Sequence, residues 1–246
     1  MSVARSLWEA GGVGDAVFLA DYAINPLGTS SDEKIAAVAD DWTRRAAETS
    51  DTLVIACNTL SIRHRQLRES SRPGSEFLRV ISMVDCFEAM VVAERERLVG
   101  QRVLVIGTEF TASQRLYPDI LQRGAPGTKV STVAATELER KIARMEEWDG
   151  CDDASLTDDL RGTLDQADVA ILACTCFPMV KDDLRKLYPD VVFLDPGAYC
   201  HGQLSEGWPA QRGNLAIDVS GDIVPERQVV AFAKSYLGKT TVVSLN

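Results

Sequence analysis

Asp51-Thr-Leu-Val-Ile-Ala-Cys57 and Asp168-Val-Ala-Ile-Leu-Ala-Cys174 are two copies of one pattern: an aspartate, a largely apolar run and a terminal cysteine. The copies lie 117 residues apart in a chain of 246, and the same offset pairs Leu67-Arg68 with Leu184-Arg185. Each run has the length and β-branched content of a buried strand. A repeat of strand, cysteine turn and helix at nearly half the chain length predicts two similar α/β lobes related by an approximate two-fold axis.

The rest of the chain continues this alternation of short apolar runs and longer stretches with helical spacing, which is typical of α/β proteins with mainly parallel sheets. Strands are predicted at Ala16–Leu19, Leu53–Ala56, Leu78–Ile81, Val103–Ile106, Val130–Val133, Val169–Ala173 and Val191–Leu194. Helices are predicted at Ser31–Glu48, Ser61–Glu69, Val84–Leu98, Thr136–Glu147, Leu156–Gln166, Pro178–Leu187 and Glu226–Leu237. We expect residues 1–97 and 208–246 to form the first lobe, on which the last helix packs, and residues 98–207 to form the second.

The position of the two cysteines predicts a shared site. Each follows a predicted strand, and open α/β sheets bind ligands beyond the carboxyl ends of their strands. Two facing lobes would therefore bring Cys57 and Cys174 to one interdomain cleft.

Two thiols in one cleft suit the inversion of an amino-acid α-carbon, because one group must remove the α-proton while another delivers a proton to the opposite face. Helix N-termini can poise a thiol near neutrality, and we expect a helix to begin after each cysteine. A single buried strand-end cysteine is usually structural, since free cysteine is among the most buried residue types. The matched pair, each followed by a Thr-containing polar turn, favours catalysis.

The motifs around these cysteines resemble those of the aspartate/glutamate racemase superfamily, and most closely those of glutamate racemases. Ala56-Cys57-Asn58-Thr59-Leu60-Ser61 resembles the first cysteine motif, and Ala173-Cys174-Thr175-Cys176-Phe177-Pro178 the second. Weaker matches are the segment from Leu19 to Gly28 and Ile106-Gly107-Thr108-Glu-Phe-Thr111. The resemblance covers nearly the whole chain, but only the two cysteine motifs are specific.

This resemblance implies two facing α/β lobes, 1,1-proton transfer without an organic cofactor, and an acidic amino acid as the small-molecule substrate. It makes Cys57 and Cys174 the acid/base pair, Asp21 an auxiliary carboxylate and Cys176 a neighbour that tunes Cys174. The implied substrate contacts are Asn58, Thr59, Thr108, Thr111 and Thr175, with Pro26 and Gly28 in a substrate-binding loop.

Three departures from the family pattern bear on the substrate. The sequence has no counterpart of the strand and Asp-Ser-Gly loop with which the family usually opens, so we expect that half of the cleft to be incomplete. Cys176 replaces the family's histidine, and a thiol polarises its neighbour less than an imidazole does. Leu27 replaces a tyrosine and removes a hydroxyl from the binding loop.

Composition narrows the partners and the location. A formal net charge of −10 repels a phosphate backbone, so direct nucleic-acid binding is disfavoured. The sequence shows neither a basic leader nor an apolar run long enough to span a bilayer, and six scattered cysteines do not resemble a secreted disulfide framework. We expect a cytoplasmic protein with reduced thiols, and a homodimer is left open.

The remaining candidate residues are interpreted as background. Cys174-x-Cys176 lacks a second pair of zinc ligands, and no GxGxxG loop, P-loop or pyridoxal-phosphate lysine is recognisable, so neither metal nor cofactor is expected. Surface positions are expected for His64 and His201, and structural roles for Cys86 and Cys151. The resemblance would allow Glu137 or Glu139 to be the family's second-lobe glutamate, but a solvated helix face is the preferred interpretation of both.

Three functions remain in competition. The first is a racemase or epimerase acting on glutamate, aspartate or a derivative. The second is a related decarboxylase or cis–trans isomerase that uses one main cysteine, and the third is a non-catalytic family member. The presence of both strand-end cysteines favours the first, whereas Cys176 and the missing opening segment favour the second.

Overall fold

A computed structural model describes residues 2–10, 15–21, 24, 27, 30–70, 79–143, 150–204, 215–220, 229, 234, 237 and 242–244. The strands are β1 Ala16–Asp21, β2 Thr52–Ile55, β3 Arg79–Ser82, β4 Arg102–Gly107, β5 Lys129–Ala134, β6 Val169–Ala173, β7 Val192–Leu194, β8 Leu215–Ser220 and β9 Val242–Ser244. The helices are α1 Ser2–Glu9, α2 Asp32–Thr49, α3 Asn58–Ser70, α4 Met83–Ala93, α5 Arg95–Leu98, α6 Glu109–Ser113, α7 Leu116–Gly124, α8 Thr136–Ala143, α9 Asp158–Leu164, α10 Lys181–Leu187 and α11 Cys200–Gln203.

The second half of the fold, residues 102–194, builds one continuous parallel sheet in the order β5-β4-β6-β7. All five residues of β6 are buried, as expected for a strand with helices on both faces. Asp168 immediately precedes β6. Its carboxylate accepts hydrogen bonds from the backbone N–H (2.8 Å) and Nε (3.0 Å) of Arg102 at the start of β4. These contacts lower the pKa of Asp168 to about 2 and fix the register of the two central strands.

The first half of the fold, which combines described residues from 2–98 with those from 215–244, contains two smaller parallel sheets, β1-β8-β9 and β2-β3. Only Ile55 of the four β2 residues is buried. Ser61 on α3 links these elements, because its Oγ donates to the Ile55 carbonyl (3.0 Å) and accepts from the Met83 N–H at the start of α4 (2.9 Å). The fully buried hydroxyl therefore holds the end of β2 beside the end of β3.

The α/β fold with parallel sheets is confirmed, and all seven predicted strands correspond to observed ones. The predicted Val84–Leu98 helix is interrupted at Glu94, which separates α4 from α5. The predicted Pro178–Leu187 helix begins instead as a 3-10 turn over Phe177–Val180. Helices α1, α6, α7 and α11 and strands β8 and β9 were not predicted. Most of the predicted Glu226–Leu237 helix lies outside the described residues.

The two halves share a core. A single cluster joins Ile55 and Phe87 from the first half with Val105, Ile171 and Leu194 from the second. Val229, the first described residue of the predicted last helix, is buried with Val3 and Ile81 in a separate cluster. The proposed lobe boundaries at 97/98 and 207/208 and the two-fold axis stay predictions. Among the described helices, none is long and apolar enough to cross a membrane.

Candidate active site

A cavity of about 780 Å³ lies between the two halves of the chain. Its lining comes from β1, from the β2 segment through Leu60, and from the turn after β6. Cys57 and Cys174 both line it, as the repeat predicted. The two strand ends meet directly, because the Thr175 hydroxyl donates to the Ala56 carbonyl at 3.0 Å. This hydrogen bond joins the residue after Cys174 to the residue before Cys57.

Cys57 lies immediately before the first turn of α3 and is half-buried. Burial raises the pKa of this thiol to about 12, and the neighbouring Cys174 adds to the rise. The backbone N–H groups of Leu60 and Thr59 at the helix start act in the opposite direction. Loss of hydration outweighs the helix N-terminus, so the direction of the shift is away from the neutral range predicted for this thiol from the sequence.

Cys174 has a different local setting. The chain turns through Thr175 and Cys176 into the helix predicted after this cysteine, which begins as a 3-10 turn over Phe177–Val180 and becomes α-helical only at Lys181. The Cys176 Sγ lies 3.2 Å from the Cys174 Sγ. This contact and burial together raise the pKa of Cys174, because two adjacent thiols resist ionising together. Cys176 is therefore placed where it can tune Cys174.

A chain of hydroxyl groups joins the first cysteine motif to the Gly-Thr-x-x-Thr segment. Thr59 Oγ1 lies 3.2 Å from Thr108 Oγ1, which in turn donates to Thr111 Oγ1 at 3.1 Å. Thr108 also caps α6 by accepting from the Thr111 N–H. Gly107 is required here, because a Cβ at this position would lie 2.9 Å from the Thr111 side chain. Of these groups, Thr59 and Thr108 line the cavity.

Asn58 is 2% exposed and also lines the cavity. Its Oδ1 accepts a hydrogen bond from the Tyr117 hydroxyl at 2.5 Å. Its Nδ2 is buried and makes no hydrogen bond within the described part of the chain. Tyr117 was missed in the sequence, where Leu116-Tyr-Pro-Asp119 did not suggest a helix. Pro118 is compatible with helix α7 because it falls in the first turn.

Glu139 corrects a second sequence prediction. It is 6% exposed and lines the cavity, although a solvated position was expected. Burial raises its pKa to about 7, against a smaller opposing effect of Arg140. The signal was present in the sequence, because Glu139 shares the i, i+3, i+4, i+7 stripe of the buried Ala135, Leu138 and Ile142.

Of the remaining predicted site residues, the structure describes three, which are Asp21, Thr111 and Thr175. Asp21 ends β1, is half-buried and lines the cavity. Thr175 lines it too, whereas Thr111 is buried behind Thr108. Pro26 and Gly28 lie outside the described residues, while Leu27 between them is buried and reaches the cavity.

Apart from Glu139, the background residues agree with expectation except at one position. His201 and Glu137 are exposed, but His64 is half-buried, so its predicted surface position was wrong. Cys86 and Cys151 are buried away from the cavity lining, and contact with Cys200 raises the pKa of Cys86. Across the described residues, no group of three or more His, Cys, Asp or Glu side chains is arranged to hold a metal ion.

The cavity has the components needed for proton transfer at a small acid. Two thiols of raised pKa offer strong bases once ionised, the threonine hydroxyls and the Asn58 amide offer donors, and Glu139 and Asp21 offer carboxyl groups. Because both thiol pKa values are raised, both thiols hold their protons at neutral pH, so one must lose a proton before it can act as a base. A bound ammonium group would favour that ionisation electrostatically.

Comparisons with known proteins agree with this arrangement. The Asp/Glu/Hydantoin racemase family model matches residues 15–200. A glutamate racemase from Sphingopyxis alaskensis is 30% identical over 216 residues, covering 79% of this chain and 74% of the relative. One from Syntrophus aciditrophicus is 31% identical over 202 residues, covering 79% and 71%.

Solved structures show the same fold. The glutamate racemase of Campylobacter jejuni superposes with a TM-score of 0.76 at 22% identity, covering 97% of this chain and 94% of that one. The Francisella tularensis glutamate racemase in complex with D-glutamate gives 0.71 at 17% identity, with coverage of 100% and 92%.

Proposed function

The chain belongs to the Asp/Glu/hydantoin racemase family, and from that premise we propose that it inverts the α-carbon of an acidic amino acid without an organic cofactor. Glutamate is the first substrate to test, because the relatives that share 30% and 31% identity are glutamate racemases and a solved relative holds D-glutamate. Cys57 and Cys174 are the proposed acid/base pair.

The observation that carries this proposal is the convergence of both repeat cysteines on one cavity, with Thr175 hydrogen-bonded to the carbonyl that precedes Cys57. A substrate α-carbon must lie about 3–3.5 Å from each reacting group, which requires the two thiols to face a common space. In one direction the Cys57 thiolate removes the α-proton and the Cys174 thiol protonates the opposite face. The reverse direction exchanges these roles.

The other cavity groups supply charge and orientation. The Asn58 amide is a proposed donor that binds a substrate carboxylate throughout the reaction, and the Thr59 and Thr175 groups are proposed donors where negative charge grows as the α-proton leaves. Asp21 and Glu139 are proposed to hold the ammonium group and to assist the thiols. With a pKa of about 7, Glu139 can exchange a proton near neutrality.

Deuterium exchange tests this function. Each glutamate enantiomer is incubated with the protein in D₂O, with Cα–H loss followed by NMR and inversion by circular dichroism. We expect both enantiomers to exchange and to invert. Exchange without inversion would favour the single-cysteine alternative, release of CO₂ would indicate a decarboxylase, and absence of both reactions with glutamate, aspartate and their derivatives would favour a non-catalytic member.

Cytoplasmic location and a homodimer are further proposals. Cell fractionation tests the first, and sedimentation of the purified protein tests the second.

A further inference from the structure

Tyr117 lies one layer behind the cavity. Among the predicted substrate contacts that the structure describes, Asn58 is the one to which Tyr117 is hydrogen-bonded. Its side chain is 1% exposed, and its ring stacks on Phe87 with a centroid distance of 4.1 Å and an interplanar angle of 9°. Its hydroxyl donates to Asn58 Oδ1. Burial raises the pKa of Tyr117, so the phenol keeps its proton and stays a donor.

The direction of this hydrogen bond fixes the orientation of the Asn58 amide. An asparagine side chain presents one acceptor and one NH₂ donor, and a rotation of its amide exchanges them. A phenol that donates to Oδ1 holds the NH₂ group on the other side. That Nδ2 is buried and has no hydrogen-bond partner among the described residues, which is a costly state for a donor. The cost is removed when a ligand in the cavity supplies an acceptor.

We infer that Tyr117 is a positioning residue, which keeps the Asn58 NH₂ turned toward the substrate and thereby sets the affinity for a substrate carboxylate. The inference rests on the proposed function for its choice of ligand. It assigns Tyr117 no contact with the substrate and no proton transfer. Its loss therefore raises KM more than it lowers kcat.

Tyr117→Phe is the direct test, because it keeps the ring and its stacking on Phe87 and removes only the hydroxyl. We expect KM for glutamate to rise about fivefold to tenfold, the effect of about one net hydrogen bond, with kcat within about twofold of the wild type. Tyr199→Phe is the matched control, because the Tyr199 hydroxyl donates to Glu94 Oε1 at 2.6 Å and Tyr199 does not line the cavity. It should leave both constants unchanged.

Asn58→Asp tests the same link from the other side. The carboxylate can still accept the Tyr117 hydrogen bond but has no NH₂ group, so we expect KM to rise at least as much as in Tyr117→Phe. In the double variant, removal of the Tyr117 hydroxyl should cause no further rise. Asn58→Asp keeps the inference testable if Tyr117→Phe fails to fold.

A readout without substrate separates this inference from the proposed function. The Asn58 side-chain NH₂ signals of ¹⁵N-labelled protein are expected to shift or broaden in Tyr117→Phe and to be unaffected in Tyr199→Phe. Unchanged Asn58 signals would overturn the inference whether or not the protein racemises glutamate. Shifted signals in a protein without racemase activity would support it and overturn only the function. An unchanged KM in an active Tyr117→Phe protein, or a fall in kcat with KM unchanged, would also overturn it.

Discussion

The two copies of the repeat fold into strands with the same sequence pattern and different surroundings. In the second copy, β6 is the inner strand of a four-stranded sheet, with every residue buried. In the first, β2 is an edge strand of its sheet within the described residues, and three of its four residues are half-buried. The two strands therefore differ in how completely neighbouring elements bury them.

Because of this difference, the two halves contribute differently to the cavity. The second half supplies a rigid platform, since its central strands are fixed by burial and by the Arg102–Asp168 contact. The first half supplies much of the open space, because Asp15–Asp21 and the segment from Asp51 to Leu60 all line the cavity. In this protein the cavity therefore borders the copy of the repeat that packs less completely.

The largest expected effect concerns the two thiols, which the comparison places in unequal settings but which the two-base reaction needs equally. Cys57→Ala and Cys174→Ala should each lower kcat/KM for inversion by about a thousandfold or more, equivalent to about 4 kcal/mol. Each variant should keep deuterium exchange for one enantiomer only, and the enantiomers should be opposite. Racemisation assays with both enantiomers check this, and full inversion by either variant would end the two-thiol reading.

Stability should also separate the two halves. Leu172→Ala in β6 removes a 1% exposed side chain and should cost about 4 kcal/mol of unfolding free energy, whereas Leu53→Ala in β2 should cost about 2 kcal/mol or less. Leu53 already borders the cavity, so its truncation removes fewer packing contacts. Urea unfolding of both variants measures the costs. Equal costs would mean that β2 is as well packed as β6.

The stability of the second half is expected to depend on pH, because the carboxyl group of Glu139 is buried at the cavity. Its folded pKa of about 7 exceeds the ordinary 4.5, so the neutral form contributes stability that is fully present below about pH 4.5 and is lost as the pH rises through 7. The loss is at most about 3 kcal/mol. Glu139→Gln should remove that part of the pH dependence.

Urea unfolding at about pH 5 and pH 8 measures this difference for the wild type and Glu139→Gln. Glu137→Gln is the matched control, because Glu137 is on the exposed side of the same helix. A variant whose stability changes with pH as much as that of the wild type would show that Glu139 does not titrate in this window.

The smallest expected effect concerns Cys176, which distinguishes the setting of Cys174 from that of Cys57. Cys176→Ser should lower kcat by less than about tenfold, because the side chain contacts Cys174 without carrying the transferred proton. Cys176→His is expected to raise activity with glutamate, since an imidazole polarises a neighbouring thiol more strongly. Steady-state kinetics of both variants test this, and a loss as large as that of Cys174→Ala would make Cys176 an acid/base group itself.

The sequence was sufficient where a residue's role follows from its own strand. The repeat predicted one shared cavity for Cys57 and Cys174 because each follows a strand of its own sheet, and the carboxyl ends of two facing sheets open on one cleft. It failed where the outcome depends on packing between distant segments. The helical stripe indicates that Glu139 is buried, but its place at the cavity depends on what α8 packs against. The contact of Tyr117 with Asn58 joins residues 59 positions apart. The raised thiol pKa values likewise follow from burial that neither motif encodes.

The unequal turns after the two cysteines have a thermodynamic consequence for a racemase. Cys57 precedes a helix of 13 residues, whereas Cys174 is followed by a 3-10 turn and a second thiol, so the two reaction directions use thiols in different surroundings. Mirror-image amino acids nevertheless have identical free energies in water, and their equilibrium constant is unity. The Haldane relation then requires the same kcat/KM in both directions. If the asymmetry raises kcat for one enantiomer, the KM for that enantiomer must therefore rise by the same factor.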